Sequence, residues 1–189
     1  MAEFMTGLKR THYCGTLRAE NIGEEVTVCG WVQRQRDLGQ LIFIDLRDRS
    51  GIVQLAFDDN TDREIFDKAF TARSEYVLCA KGVVRERSAK SNKIPTGDIE
   101  VIAKEIEVLG KCKAELPFEV NSDMETREDL RLEYRFLDLR NEKLHNNILL
   151  RSKILKTLRD KMDELGFSEI QTPILANSSP EGARDYLVP

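Results

Sequence analysis

Histidine is nearly absent from this 189-residue sequence, which has two, and the four cysteines (Cys14, Cys29, Cys79 and Cys112) are widely spaced. No CxxC pair occurs, so no zinc-ribbon or thioredoxin-like site is expected, and the cysteines read as buried free thiols. Long apolar runs are also missing. The longest, such as Leu41–Ile44, fall far short of the roughly 20 residues that cross a bilayer. The N-terminal MAEFMTGLKR lacks the apolar core and cleavage site of a secretory leader. Basic charge is not in excess either. The formal net charge is −4, so any contact with nucleic acid has to come from a local patch. What is present is 41% hydrophobic and 33% charged residues, the balance of a globular chain.

The first half reads as β-structure. Val26–Arg34, Leu41–Arg47 and Ile52–Asp58 are apolar, β-branched runs joined by short turn-like segments around Gly39 and Gly51. A helix is expected next: Thr61 to Glu64 fits a capping box, and Ile65, Phe66, Ala69 and Phe70 share one helical face. Tyr76–Arg87 and Asp98–Leu109 follow as strands four and five, around a polar loop over Ser88–Gly97. Three strands, a helix and two strands is the order of an OB-fold, a Greek-key barrel whose open face commonly binds oligonucleotides. An SH3-like barrel is the competitor, and the helix after strand three favours OB.

Composition changes after Gly110. Lys111–Glu125 reads as a linker and Arg127–Arg140 as short helix. From Asn147 to Leu165 the apolar residues recur at helical spacing, with Gly166 as the stop; Phe167–Ile170 is expected to be a short strand.

Several residues stand out chemically. On the second strand Ile42, Ile44 and Leu46 form a core face, while Leu41, Phe43, Asp45 and Arg47 form the other. An aromatic among charges suits a platform for an unpaired base, or a ring packed under a loop. Gln54 is polar within an apolar strand, where an amide can read a base edge. Arg34 and Arg36 leave the first strand. Lys81, Arg85, Arg87, Lys90 and Lys93 are opposed only by Glu86, as a phosphate-neutralising stretch or a solvated strand edge would be. Glu100 suits either a base amino group or solvent. Ser179–Asp185 places three charges on a Pro/Gly loop, which is a ligand loop or an ordinary turn.

Gly30–Gly39, Leu41–Arg49, Gly51–Gln54, Pro95–Val101, Leu132–Arg140 and Glu181–Pro189 together resemble the bacterial aspartyl-tRNA synthetases, from about Arg10 onward. The earlier motifs are shared more loosely with lysyl and asparaginyl enzymes; the 180–185 loop is more specific. The resemblance implies an OB-fold anticodon-binding domain over 1–110, a hinge over 111–140, and over 141–189 the start of an α+β class II catalytic domain. It implies that Phe43 stacks on the central anticodon base, that Gln54 reads that base, and that Arg36 and Glu100 contact the anticodon, supported by Arg34 and Arg87. It implies that Glu181 meets the amino group of aspartate, and that the helix to Pro173, including Ile154 and Leu158, builds a homodimer interface. Class II motifs 2 and 3, which hold ATP and Mg2+, are not in this sequence. The resemblance therefore implies aspartate–tRNA ligation for the parent enzyme, in the cytoplasm, with aspartate tRNA, aspartate and ATP as partners. For this stretch alone it implies anticodon recognition without catalysis, metal or bound cofactor. A non-enzymatic single-strand-binding OB module is the alternative.

Overall fold

A computed structural model describes residues 7–112, 115–120 and 126–173. The chain divides into two compact units, Met1–Leu116 and Pro117–Pro189.

The first unit holds β1 (Glu25–Asp37), β2 (Ile42–Asp48), β3 (Gly51–Phe57), α1 (Arg63–Thr71), β4 (Val77–Glu86) and β5 (Ile99–Gly110). The strands close into a barrel in the order β1-β2-β3-β5-β4. All pairings are antiparallel except a short parallel one, Leu55 with Val101 and Ala56 with Ile102. This is the expected OB-fold. Strict alternation drives the core: Ile42, Ile44 and Leu46 are fully buried, with Val26, Val28, Val32, Leu55, Leu78 and Val101 around them. Each such side chain contributes about 1.5–3 kcal/mol on leaving water. One end of the barrel is tied by Cys14 and Gly15, whose N–H groups donate to Asp48 Oδ2 (2.7 Å) and Ser50 Oγ (2.8 Å). Gly15 is required there, since an added Cβ would lie 2.1 Å from the Ser50 carbonyl oxygen.

Two strands are bulged. In β1 the pairing with β2 slips between Val32 and Arg34. Val26, Val28 and Val32 face the core, and without the slip Arg34 and Arg36, of the same parity, would face it too. The bulge turns them outward. β1 therefore runs three residues beyond the predicted end at Arg34. In β5 the pairing slips between Gly82 and Lys81, so the core positions change from Ile99, Val101 and Ala103 to Ile106 and Val108.

Helix α1 is capped differently from the expected box. Asp62, not Thr61, is the N-cap and accepts from Glu64 N; Thr61 Oγ1 instead accepts from Asp58 N. Ile65, Phe66 and Ala69 pack on the barrel as predicted, whereas Phe70 is 49% exposed.

The second unit contains α2 (Glu128–Glu133), α3 (Arg135–Asp138) and α4 (Glu142–Glu164). Arg131 and Arg135 both bond the buried carboxylate of Asp138. α4 begins five residues before the predicted start. Its first five residues hold one apolar side chain, Leu144, so apolar spacing misses them, but Asn141 caps the helix by accepting from Leu144 N. Gly166, at φ 82°, ends it as expected. Residues 167–170 form no strand, contrary to expectation. Their sequence is strand-like, but a strand needs a partner edge, and among the described residues none pairs with them. Ile154, Leu158, Met162 and Ile170 are 51%, 58%, 46% and 79% exposed, against 0% for Val28, Ile44 and Leu55 of the barrel. Leu175, expected to share this exposure, lies outside the described residues. Among those residues no helix is long and apolar enough to cross a membrane.

Candidate nucleic-acid interface

On the outward face of the barrel, Arg36, Phe43, Asp45, Gln54, Arg85, Arg87 and Glu100 converge. The register sets Arg36 opposite Phe43, Asp45 opposite Gln54, and Arg85 opposite Glu100. Gln54 lies at the centre. Its Oε1 accepts from Arg36 Nη2 (2.8 Å) and Arg87 Nη2 (2.6 Å), and its Nε2 donates to Glu100 Oε2 (2.7 Å). A guanidinium only donates and a carboxylate only accepts, so the amide has one possible orientation. Glu100 is held in turn by Arg85 Nε (2.9 Å), and Arg85 also meets Asp58 at 3.5 Å. Arg36 pairs with Asp45 (3.2 Å) while its guanidinium carbon lies 5.5 Å from the centre of the half-buried Phe43 ring. Arg36 Nε is buried with no hydrogen-bond partner.

Glu100 is thus neither solvated nor free, as one reading of it allowed; it is 2% exposed and anchors the amide. Most cations of the basic stretch have carboxylate or amide partners of their own. Lys81 pairs with Glu25 (3.0 Å) and Glu105 (3.5 Å), Lys90 with Glu86 (2.6 Å), and Arg85 with Glu100. The cluster holds three guanidiniums (Arg36, Arg85, Arg87) and three carboxylates (Asp45, Asp58, Glu100), so it is balanced in charge. Arg34 and Lys93 are exposed. Sequence reasoning missed the support roles of Arg85 and Asp58. No local signal marks them, because the β4–β5 register brings Arg85 to Glu100 across 15 positions.

The other site residues lie elsewhere. Ile154 and Leu158 are exposed on α4 and Pro173 is exposed after it, all in the second unit. Glu181 falls outside the described residues. Among those residues no group of three or more His, Cys, Asp or Glu side chains could hold a metal ion.

Comparison with known proteins agrees with this architecture. The family described as OB-fold nucleic acid binding domain matches residues 26–109, and the family described as tRNA synthetases class II (D, K and N) matches 127–189. The chain is 53% identical over its whole length to an aspartate–tRNA ligase of Agathobacter rectalis and 50% identical to an aspartate–tRNA(Asp/Asn) ligase of Halothermothrix orenii. It spans 32% of each of those proteins. The asparaginyl-tRNA synthetase of Pyrococcus horikoshii, solved with asparaginyl-adenylate, superposes with a TM-score of 0.77 at 28% identity, over 93% of this chain and 39% of that one. The aspartyl-tRNA synthetase of Entamoeba histolytica (TM-score 0.80, 22% identity, 93% and 42% covered) shares the fold. Residues 26–109 are thus similar to the OB-fold nucleic acid binding domains and residues 127–189 to the class II tRNA synthetases of the D, K and N group, and the chain as a whole is similar to the N-terminal portion of the aspartate–tRNA ligases.

Proposed function

We propose that this chain recognises the anticodon of aspartate tRNA on the barrel face around Gln54, as the anticodon-binding part of an aspartate–tRNA ligase. The carrying observation is the oriented Gln54 amide beside a half-buried aromatic ring. A ring face stacks on any base, and a fixed amide discriminates between base edges. Gln54 is 3% exposed, so a base reaches Oε1 only when the Arg36 or Arg87 guanidinium moves aside. Arg36, Arg87 and Glu100 accordingly set the amide, and Arg34 meets phosphate from the rim. Titration of the chain with an anticodon stem-loop at several salt concentrations tests this. Arg34→Ala should flatten the slope of log affinity against log salt by about 0.7, the single-strand value for one phosphate. Arg36→Ala should weaken binding with the slope kept, because its guanidinium is committed to the ring, Asp45 and Gln54. The reverse pattern contradicts these assignments.

In the longer protein the reaction is aspartate activation by ATP with Mg2+, followed by transfer of the aspartyl group to the tRNA's terminal ribose, in the cytoplasm. Within this sequence Glu181 would meet the substrate's amino group. The domain limits carried over from the family are 1–110, 111–140 and 141–189. The exposed apolar side of α4, with Ile154, Leu158 and Pro173, is the homodimer surface. A chain ending at Glu119 should accordingly run as a monomer in light scattering while the 189-residue chain associates. Association of both would place the contact on the barrel.

A further inference from the structure

Cys29 and Cys79 face each other across β1 and β4, with their sulfurs 3.1 Å apart. The strand pairing makes this an unusual position. Val32 N–H bonds Tyr76 O and Val84 N–H bonds Glu24 O, so the even-numbered β1 residues occupy the hydrogen-bonded pairs. Cys29 therefore sits in a non-hydrogen-bonded pair, where opposed Cα atoms lie about 4.5 Å apart and side chains are closest. That separation is within the range a disulfide spans. Neither thiol belongs to the continuous core. The core residues of β1 and β4 are the even ones, and the two cysteines lie on the barrel's outer face, Cys29 5% and Cys79 0% exposed. The exposed Arg10 lies beside Cys29 and stacks on Tyr13 at 4.9 Å. The Cys29 thiol is held down to about 7, chiefly by its hydrogen bond with Cys79 and then by the Arg10 cation, against the opposing effect of burial. The same hydrogen bond and burial push Cys79 up.

We propose that Cys29 and Cys79 form a peroxide-responsive dithiol that closes into a disulfide across the β1–β4 seam. The Cys29 thiolate attacks one oxygen of hydrogen peroxide, the O–O bond breaks and hydroxide leaves, giving a sulfenic acid. Cys79 sulfur then attacks Cys29 sulfur. The sulfenic hydroxyl departs with the Cys79 proton as water, and the S–S bond forms. Two thiols are oxidised, and one peroxide, taking up the two protons, is reduced to two waters. The bond ties β1, which carries Arg34 and Arg36, to β4, which carries Arg85.

The test is equimolar hydrogen peroxide added to the folded 189-residue chain carrying Cys112→Ser, which removes the half-buried cysteine after β5. Free thiols are then blocked under native conditions, and the intact mass and digest are read. The expected result is a mass loss of two hydrogen atoms, one linked peptide joining Cys29 to Cys79, and recovery of both thiols with reductant. A Cys79→Ser version should stop at a Cys29 sulfenic acid that a dimedone-type reagent captures. Gain of oxygen at Cys29 without a linked peptide, linkage through Cys14 instead, or two unreacted thiols in a chain still folded by circular dichroism would each overturn the proposal.

Discussion

Replacing Arg47 with methionine should destabilise the barrel by about 3–5 kcal/mol, the cost of removing one partner from a buried ion pair. Arg47 Nη2 lies 2.8 Å from Glu75 Oε1, and the two side chains are only 14% and 4% exposed. Glu75 is itself held in place: it is a non-glycine residue at φ 62°, and its N–H donates to Val32 O at 2.7 Å. The pair therefore ties β2 to the turn that leads into β4, beside the β1 strand. Methionine keeps most of the volume of arginine but leaves the carboxylate buried without the Arg47 cation. The double change Arg47→Met with Glu75→Leu should recover most of the loss, because an apolar pair needs no desolvation of charge. Urea unfolding of the wild type and the two variants decides this. An unchanged midpoint for Arg47→Met would show that the pair carries none of the barrel's stability.

Phe43→Ala should weaken stem-loop binding by about 1–3 kcal/mol, the usual worth of one base–aromatic stack. The ring is half-buried and lies under the Arg36 guanidinium. Its loss also removes the surface on which that guanidinium rests, so Arg36 should lose its fixed position over Gln54. Phe43→Trp should retain binding, since the larger ring offers the same kind of face. The fold does not depend on Phe43 as it does on its neighbours Ile42 and Ile44, which are fully buried. The alanine variant should therefore unfold close to wild type. Equal stem-loop affinities for wild type and Phe43→Ala would remove the ring from the site.

The barrel was legible in the sequence because its strands obey simple alternation. Ile42, Ile44 and Leu46 can be assigned to the core without knowing what they pack against. What was not legible follows from register. The β1 bulge that turns Arg34 and Arg36 outward leaves no mark in composition, since Gln33 is an unremarkable strand residue. Glu100 reads as meeting either a base amino group or solvent; only the opposed Arg85 and the amide of Gln54 make its burial possible. The early start of α4 was hidden for a related reason. Its first turn is fixed by a hydrogen bond from Leu144 N to Asn141, not by an apolar face. Phe167–Ile170 shows the converse: a strand-like sequence for which no strand pairs among the described residues.

The central claim is that Gln54, fixed by Glu100 and covered by Arg36 and Arg87, reads one anticodon base. Two stem-loops of aspartate tRNA, differing only in the central anticodon base, should be titrated against the wild-type chain and against Gln54→Ala. Wild type should prefer the natural base by about 1–3 kcal/mol, the usual discrimination of one well-made amide–base contact, and Gln54→Ala should bind the two alike. Equal affinity of wild type for both stem-loops, or a preference that survives in Gln54→Ala, would contradict the account.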